Sequence, residues 1–184
     1  MKEIKINMGC GKRNFGAGWY HIDGGDYEHL DHKSITDLPF EKDSVDLIYA
    51  SHVIEYFDRE SVLFLLQEWN RVLKPDGIIR LAVPDFESIA NLYVKEKMSL
   101  SRFLGPLYGK MPMSDETIYH KTVYDFDSLK DVLESQNFYG IKLFDWRRTE
   151  HSAFDDHSQA YIPHMDKENG TLISLNVEAK KCRR

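Results

Sequence analysis

An apolar run that breaks into two glycines, with an acid after the next apolar segment, constrains this chain more than any other stretch. The run is Ile4-Lys5-Ile6-Asn7-Met8-Gly9-Cys10-Gly11, and the acid is Asp23, closing His21-Ile22-Asp23. Ile4 to Met8 is mostly apolar, as a strand buried in a parallel sheet must be. A parallel sheet presents these parts to a nucleotide-like ligand: a first strand, a glycine turn and a carboxylate at the tip of the second strand. Where the turn lacks a Cβ, a ligand meets bare backbone. A carboxylate beside it can accept hydrogen bonds from both hydroxyls of a ribose. The structural alternative for Asp23 is a turn acid that caps Gly24-Gly25.

With 184 residues, 42% of them apolar and 29% charged, the chain is expected to form a single domain over 1–184 with a substantial core. A formal net charge of -6 argues against a dedicated nucleic-acid binder. The basic end, Lys180-Lys181-Cys182-Arg183-Arg184, reads as a solvated terminus. Cys10 and Cys182 lie far apart and show neither a disulfide framework nor a zinc spacing, so a reducing compartment is expected. The N-terminus carries no signal-peptide apolar region, and no apolar run approaches the roughly 20 residues that span a bilayer. A cytoplasmic location without a membrane partner follows as the expectation. Oligomeric state is not legible.

Periodicity then orders the chain. Trp19 to Asp23 reads as a second strand, His32 to Thr36 as a short third one, and Val45 to Ala50 as a buried fourth. Lys12 to Gly18 leaves room only for a loop or one helical turn between the first two strands. Val62, Leu65, Leu66, Trp69, Val72 and Leu73 make one apolar stripe, which predicts a helix over 61–73, stopped by Lys74-Pro75-Asp76-Gly77. Ile78 to Val83 is a fifth strand. Asp85 caps a helix to about Lys95 and Asp127 one over 128–135. Met98 to Tyr124 mixes Met, Pro, Gly and aromatics without a period; it reads as an inserted, partly helical cover over a pocket, or as a surface excursion packing its own aromatics. Tyr139 to Trp146 and Thr171 to Ala179 are strands separated by a polar loop over 147–167. With no helix between them they suggest an antiparallel hairpin at the sheet edge.

These pieces resemble the class I S-adenosylmethionine-dependent methyltransferases, in particular the methyltransferase-domain-11-like proteins. The matching stretches are Ile6 to Gly11, His21-Ile22-Asp23, Asp37-Leu38-Pro39-Phe40, Val45 to Glu55 and Glu68 to Gly77, in that order. The resemblance implies an α/β, Rossmann-like, seven-stranded and mostly parallel sheet, with an antiparallel last strand and helices on both faces. It implies S-adenosylmethionine as cofactor and methyl transfer as activity. Gly9, Cys10 and Gly11 would then meet the methionine part. Asp23 would hold the ribose, Asp37 and Leu38 would flank the adenine, and Ser51 and His52 would face the reactive end. Two positions depart from the family: Asn14 stands for the third glycine of the turn, and Tyr56 for the frequent His after the fourth-strand Glu.

Methyl transfer from a sulfonium needs alignment above all, and needs a base only when the acceptor carries a proton to lose. His52 is the base candidate at the end of a central strand, with Glu55 able to orient it; a structural histidine is the alternative. Cys10 reads as a small packing residue of the turn. The loop holding His151, Asp155, Asp156, His157, His164 and Asp166 lacks the ligand spacing of a known metal site, so no metal is expected, and His157 is the substrate-facing candidate. The acceptor expected is a small molecule or a glycan-type compound, and not a nucleic acid. Two other readings compete. One is a catalytically silent S-adenosylmethionine-binding or scaffold protein. The other is an NAD(P)-dependent oxidoreductase, disfavoured by the lost third glycine and the shortened first helix.

Overall fold

The computed structural model describes residues 3–113 and 116–183. The first two residues of the N-terminal approach, positions 114–115 of the expected cover and the last arginine of the basic end lie outside them.

In chain order the strands are β1 (Lys5–Met8), β2 (Trp19–Ile22), β3 (Val45–Ser51), β4 (Leu73–Pro84), β5 (Met111–Met113), β6 (Glu116–Ile118), β7 (Phe138–Leu143), β8 (Tyr161–Ile162), β9 (Thr171–Leu172) and β10 (Ser174–Lys181). The helices are α1 (Ser61–Val72), α2 (Phe86–Lys95), α3 (Leu104–Tyr108) and α4 (Phe126–Ser135). Six strands make the main sheet, in the order β2-β1-β3-β4-β10-β7. The β1–β2, β1–β3 and β3–β4 pairs are parallel, whereas β10 runs antiparallel to both β4 and β7. The mostly parallel sheet with an antiparallel last strand is therefore present.

Two details differ from the sequence expectation. The third strand, expected over 32–36, shrinks to one bridge between Ile22 and His32, which leaves six strands in place of seven. The segment has a reason to leave the sheet: Ile35 and Leu38 turn instead toward α1. The antiparallel pair expected at the sheet edge is present: β10 lies between β4 and β7, and β7 is outermost. The cap of α4 is Asp125 and not Asp127. Its carboxylate accepts from the Ser128 amide while the Ser128 hydroxyl answers the Asp125 amide, so two helix-end donors are satisfied together.

Helix α1 shows how a local motif fixes a distant loop. Its apolar stripe, Val62, Leu65, Leu66, Trp69 and Val72, is buried in the main core with Ile6, Met8, Ile48 and Leu81 of the sheet. Its polar residues reach the other way. Glu68 accepts from the Leu38 amide at 2.8 Å, and Arg71 donates to the Phe40 carbonyl at 2.9 Å while paired with Glu68 at 2.7 Å. The Trp69 indole donates to the Ile35 carbonyl at 2.8 Å. The chain between β2 and β3 is thereby held against α1, which turns Leu38 into core. Helix α2 contributes Ile89 and Leu92 to a smaller cluster with Phe103, Ile162 and Ile173, and so joins the cover segment to the body of the fold. No helix among the described residues is long and apolar enough to cross a membrane.

Candidate functional site

The strand order reverses beside β1: the chain goes from β1 to β2 on one side and returns as β3 on the other. At such a reversal the loops leaving neighbouring strands part and open a crevice at their carboxyl ends. A cleft of about 1320 Å³ lies there. One wall is the glycine turn and the tip of β2, another is the end of β3. The cover residues from Arg102 to Lys121 and the loop from Asp155 to Met165 supply the rest.

The turn needs its first glycine for two separate reasons. Gly9 has φ +63°, a region that side chains rarely enter, and a Cβ there would stand 2.3 Å from Val53 Cγ2. The Gly9 amide also bonds the Ile22 carbonyl at 2.7 Å, which ties the turn to the tip of β2. Asp23 sits where those two segments meet. One of its oxygens accepts from the Gly11 amide at 2.7 Å and the other from the Gly25 amide at 2.7 Å. Each carboxylate oxygen has a second lone pair, and Asp23 is among the residues that line the cleft. Asp23 thus caps the Gly24-Gly25 turn, as its structural alternative had it, braces the glycine turn and borders the cleft.

Gly9, Gly11, Asp23, Ser51, His52 and His157 all line the cleft. Cys10, Asp37 and Leu38 do not. Cys10 is buried beneath the turn with its sulfur 3.7 Å from His29 Nε2, and burial pushes its thiol up to about 12, an inert packing residue. Leu38 is part of the main core, and Asp37 is exposed with its carbonyl bonded to His32 Nε2 at 2.8 Å. Ile35, three residues before Leu38, reaches the cleft instead. Sequence reading did not name Tyr27 as a site residue, and placed the methionines of 98–124 in the cover without assigning them a contact. Tyr27 packs so tightly on Gly25 that a Cβ there would meet its ring at 2.6 Å, and Met113 of β5 lies against Gly24. The apolar residue inside the 32–36 segment was the one available signal for Ile35; no local pattern marks the others.

At the floor of the cleft three imidazoles gather near one buried acid. His52 leaves β3 with φ +55°, and its Nδ1 lies 3.3 Å from Glu55 Oε1. His120, from the cover, brings Nε2 to 3.8 Å from the same oxygen. The His52 and His157 rings are 4.9 Å apart. Glu55 is 0% exposed, and neither of its oxygens has a hydrogen-bond partner; His52 Nε2 and Ser51 Oγ are likewise buried and unpartnered among the described residues. Burial pushes the Glu55 carboxyl up to about 8. Burial, and then the neighbouring His157 and His120, hold His52 well below the usual imidazole range. Unpartnered buried polar atoms are costly in a fold and mark a place where a ligand group can be accommodated.

The polar loop divides its histidines between two tasks. His157 and His164 line the cleft. His151 instead stacks on Phe15 at 5.1 Å and lies against Tyr49 at 4.0 Å, in an aromatic cluster outside it. Burial holds His151 down to about 4. Its ordinary value is 6.5, so it contributes stability fully above that pH and loses it as pH falls toward 4. His151→Phe should flatten the acid limb of a stability–pH curve, by about 3 kcal/mol between those limits. Urea unfolding from pH 4 to 7 reads it, and an unchanged acid limb would refute the assignment. Among the described residues no group of three or more ligating side chains could hold a metal ion.

Comparison with known proteins places this fold. Residues 20–81 match the family described as Methyltransferase domain. The crystal structure of a SAM-dependent methyltransferase from Archaeoglobus fulgidus superposes with a TM-score of 0.58 over 97% of this chain and 86% of that one, at 16% identity. The fold is that of a class I methyltransferase. A second solved structure with this methyltransferase fold is the Burkholderia thailandensis 1,6-didemethyltoxoflavin-N1-methyltransferase, with bound 1,6-didemethyltoxoflavin and S-adenosylhomocysteine. It gives a TM-score of 0.54 over 98% of this chain and 71% of that one, at 11% identity. In sequence, the demethylmenaquinone methyltransferase of Staphylococcus haemolyticus (strain JCSC1435) is 31% identical over 127 residues, 62% of this chain and 49% of that protein. The chain spans about half the length of the curated relatives it matches.

Proposed function

We propose that this chain is an S-adenosylmethionine-dependent methyltransferase acting on a small-molecule or glycan-type acceptor. One observation carries the reading: bare backbone at Gly9, a carboxylate at Asp23 and the end of β3 at His52 border a single cleft at the reversal of strand order. The residues fit the cofactor. Asp23 keeps free acceptor capacity for the ribose, the backbone of Gly9 and Gly11 is open to the methionine part, and Ile35 offers an apolar flank to the adenine. The bound cofactor would supply an electrophilic methyl group. The chain's part is to hold the acceptor in line with it, to keep water out with the cover and, through His52, to receive a proton if the acceptor has one to lose.

The name of the staphylococcal relative supports the small-molecule side of the proposal, since it specifies demethylmenaquinone for that protein. Calorimetry with S-adenosylmethionine, S-adenosylhomocysteine and NAD tests the cofactor. Micromolar binding of the first two is expected; binding of NAD alone would overturn the reading.

A further inference from the structure

We propose that the acceptor is a carboxylic acid with an apolar body, and that Arg13 holds its carboxylate on the polar-loop side of the cleft. This rests on the methyltransferase reading and names the acceptor class of the same cleft.

Arg13 belongs to the glycine turn by its backbone and to the polar loop by its side chain. Its amide bonds the Cys10 carbonyl at 3.0 Å, which closes the turn. Its Nε donates to the Asp155 carbonyl at 2.9 Å, 142 positions further along the chain. The side chain thus reaches the loop that carries His157, and Arg13, Asp155 and His157 all line the cleft. Arg13 is half-buried, and with Nε spent on the loop its two Nη groups have no partner among the described residues. Such a planar fork matches the two oxygens of one carboxylate, which a lysine ammonium does not.

The charge around Arg13 is not balanced by the protein. Among the described residues four carboxylates line the cleft. Asp23 is taken by the Gly11 and Gly25 amides. Asp155 turns its carboxylate to Lys167 at 2.8 Å, and Asp156 receives the Tyr49 hydroxyl at 2.6 Å and the Ser158 amide at 2.8 Å. Glu116 stands exposed on β6. The nearby imidazoles add no negative charge. Burial, and after it the Arg13 charge, holds His157 below the usual imidazole range. Lys12, Arg102, Lys110 and Lys121 also line the cleft, and none of them forms a salt bridge among the described residues. A chain with a formal charge of -6 therefore gathers unpaired cations at this one opening, where they favour an anion.

The wall beside Arg13 sets the rest of the acceptor. Ala160, Tyr161, Ile162 and Ile173 line it, and Met111 and Met113 of the cover line the cleft as well. Methionines adapt to irregular apolar bodies. The polar atoms of this wall are already spent: the Tyr161 hydroxyl accepts from the Trp146 indole at 3.3 Å and from Arg147 at 3.0 Å. The Gln159 amide donates to the Ser152 and Phe154 carbonyls, and its Oε1 accepts from Lys167. A sugar would find few hydroxyl partners there, whereas an apolar body loses none by contact with it. The amino-acid part of the cofactor is assigned to the backbone of Gly9 and Gly11, and the Arg13 side chain has left that turn for the loop, so the fork is open to the acceptor.

The test is calorimetry of 2-naphthoate and its uncharged counterpart 2-naphthamide on the full chain loaded with S-adenosylhomocysteine. The wild type should prefer the naphthoate at least tenfold, the effect of a charge-assisted pair. Arg13→Gln should bring the two affinities together, and Arg13→Lys should leave an intermediate preference. The ratio is the readout, because a loop merely loosened by loss of the Asp155 contact would weaken both probes alike. S-adenosylhomocysteine and 5′-methylthioadenosine, which lacks the amino-acid part, should each bind Arg13→Gln as they bind the wild type. No naphthoate binding below about 10 mM, equal affinities in the wild type, or a preference that survives Arg13→Gln overturns the proposal. So does a loss in Arg13→Gln confined to S-adenosylhomocysteine, which would give the fork to the cofactor's own carboxylate. A wild type that binds no S-adenosylhomocysteine sinks the methyltransferase reading instead, while the naphthyl pair, measured without it, still judges Arg13.

Discussion

Replacing Gly9 by alanine is expected to abolish cofactor binding and to lower the melting temperature by roughly 10 °C. Two penalties add. The left-handed backbone at φ +63° costs about 1 kcal/mol for a residue with a Cβ. The Cβ would also meet Val53 Cγ2 at 2.3 Å, and overpacking of that kind costs about 2 kcal/mol. For a chain of this size the sum corresponds to the stated shift. Relief of the contact moves either the turn, which would close on the ligand, or Val53, which lines the same cleft. Gly16→Ala is the control, since Gly16 also has a positive φ, +80°, but nothing lies within 4 Å of its Cβ position. It should lose only the backbone part and keep cofactor binding. Val53→Ala in the Gly9→Ala background should restore about half of the lost stability. Equal thermal losses for Gly9→Ala and Gly16→Ala would refute the packing argument.

Asp23→Ala is expected to weaken S-adenosylhomocysteine binding by roughly 100-fold. Two hydroxyl hydrogen bonds to a charged acceptor, at about 1.5 kcal/mol each, account for that factor. The same substitution orphans the Gly11 and Gly25 amides, so the apoprotein should lose about 2 kcal/mol as well. Asp23→Asn separates the two effects. It keeps the shape and one good acceptor, and should bind about tenfold more weakly than the wild type with a smaller loss of stability. Calorimetry and urea unfolding on the same samples read both. Undiminished affinity in Asp23→Ala would show that the carboxylate serves the turns alone.

What could be read from the sequence was whatever depends on neighbours along the chain. The glycine turn, Asp23, the α1 stripe and the Asp85 cap each follow from residues within a few positions of one another, and the structure carries all of them. The placement of Asp37 and Leu38 was not legible, because it depends on Glu68 and Arg71 gripping that loop from α1. The same holds for the missing third strand, whose apolar residues serve α1 and the cleft. Asp125 displaced Asp127 as a cap because Ser128 completes the reciprocal pair three residues after Asp125. The histidine and glutamate cluster lay furthest out of reach. His52 and Glu55 are near in sequence, but nothing in the aperiodic segment over 98–124, read as a cover or a surface excursion, marks His120 as the residue that comes to Glu55.

A crystal structure with S-adenosylhomocysteine bound tests the central claim most directly. Both ribose hydroxyls should lie about 2.7 Å from the Asp23 carboxylate, with the amino-acid part against the backbone of Gly9 and Gly11. A ligand seated elsewhere, with Asp23 bonded to Gly11 and Gly25 alone, would contradict it.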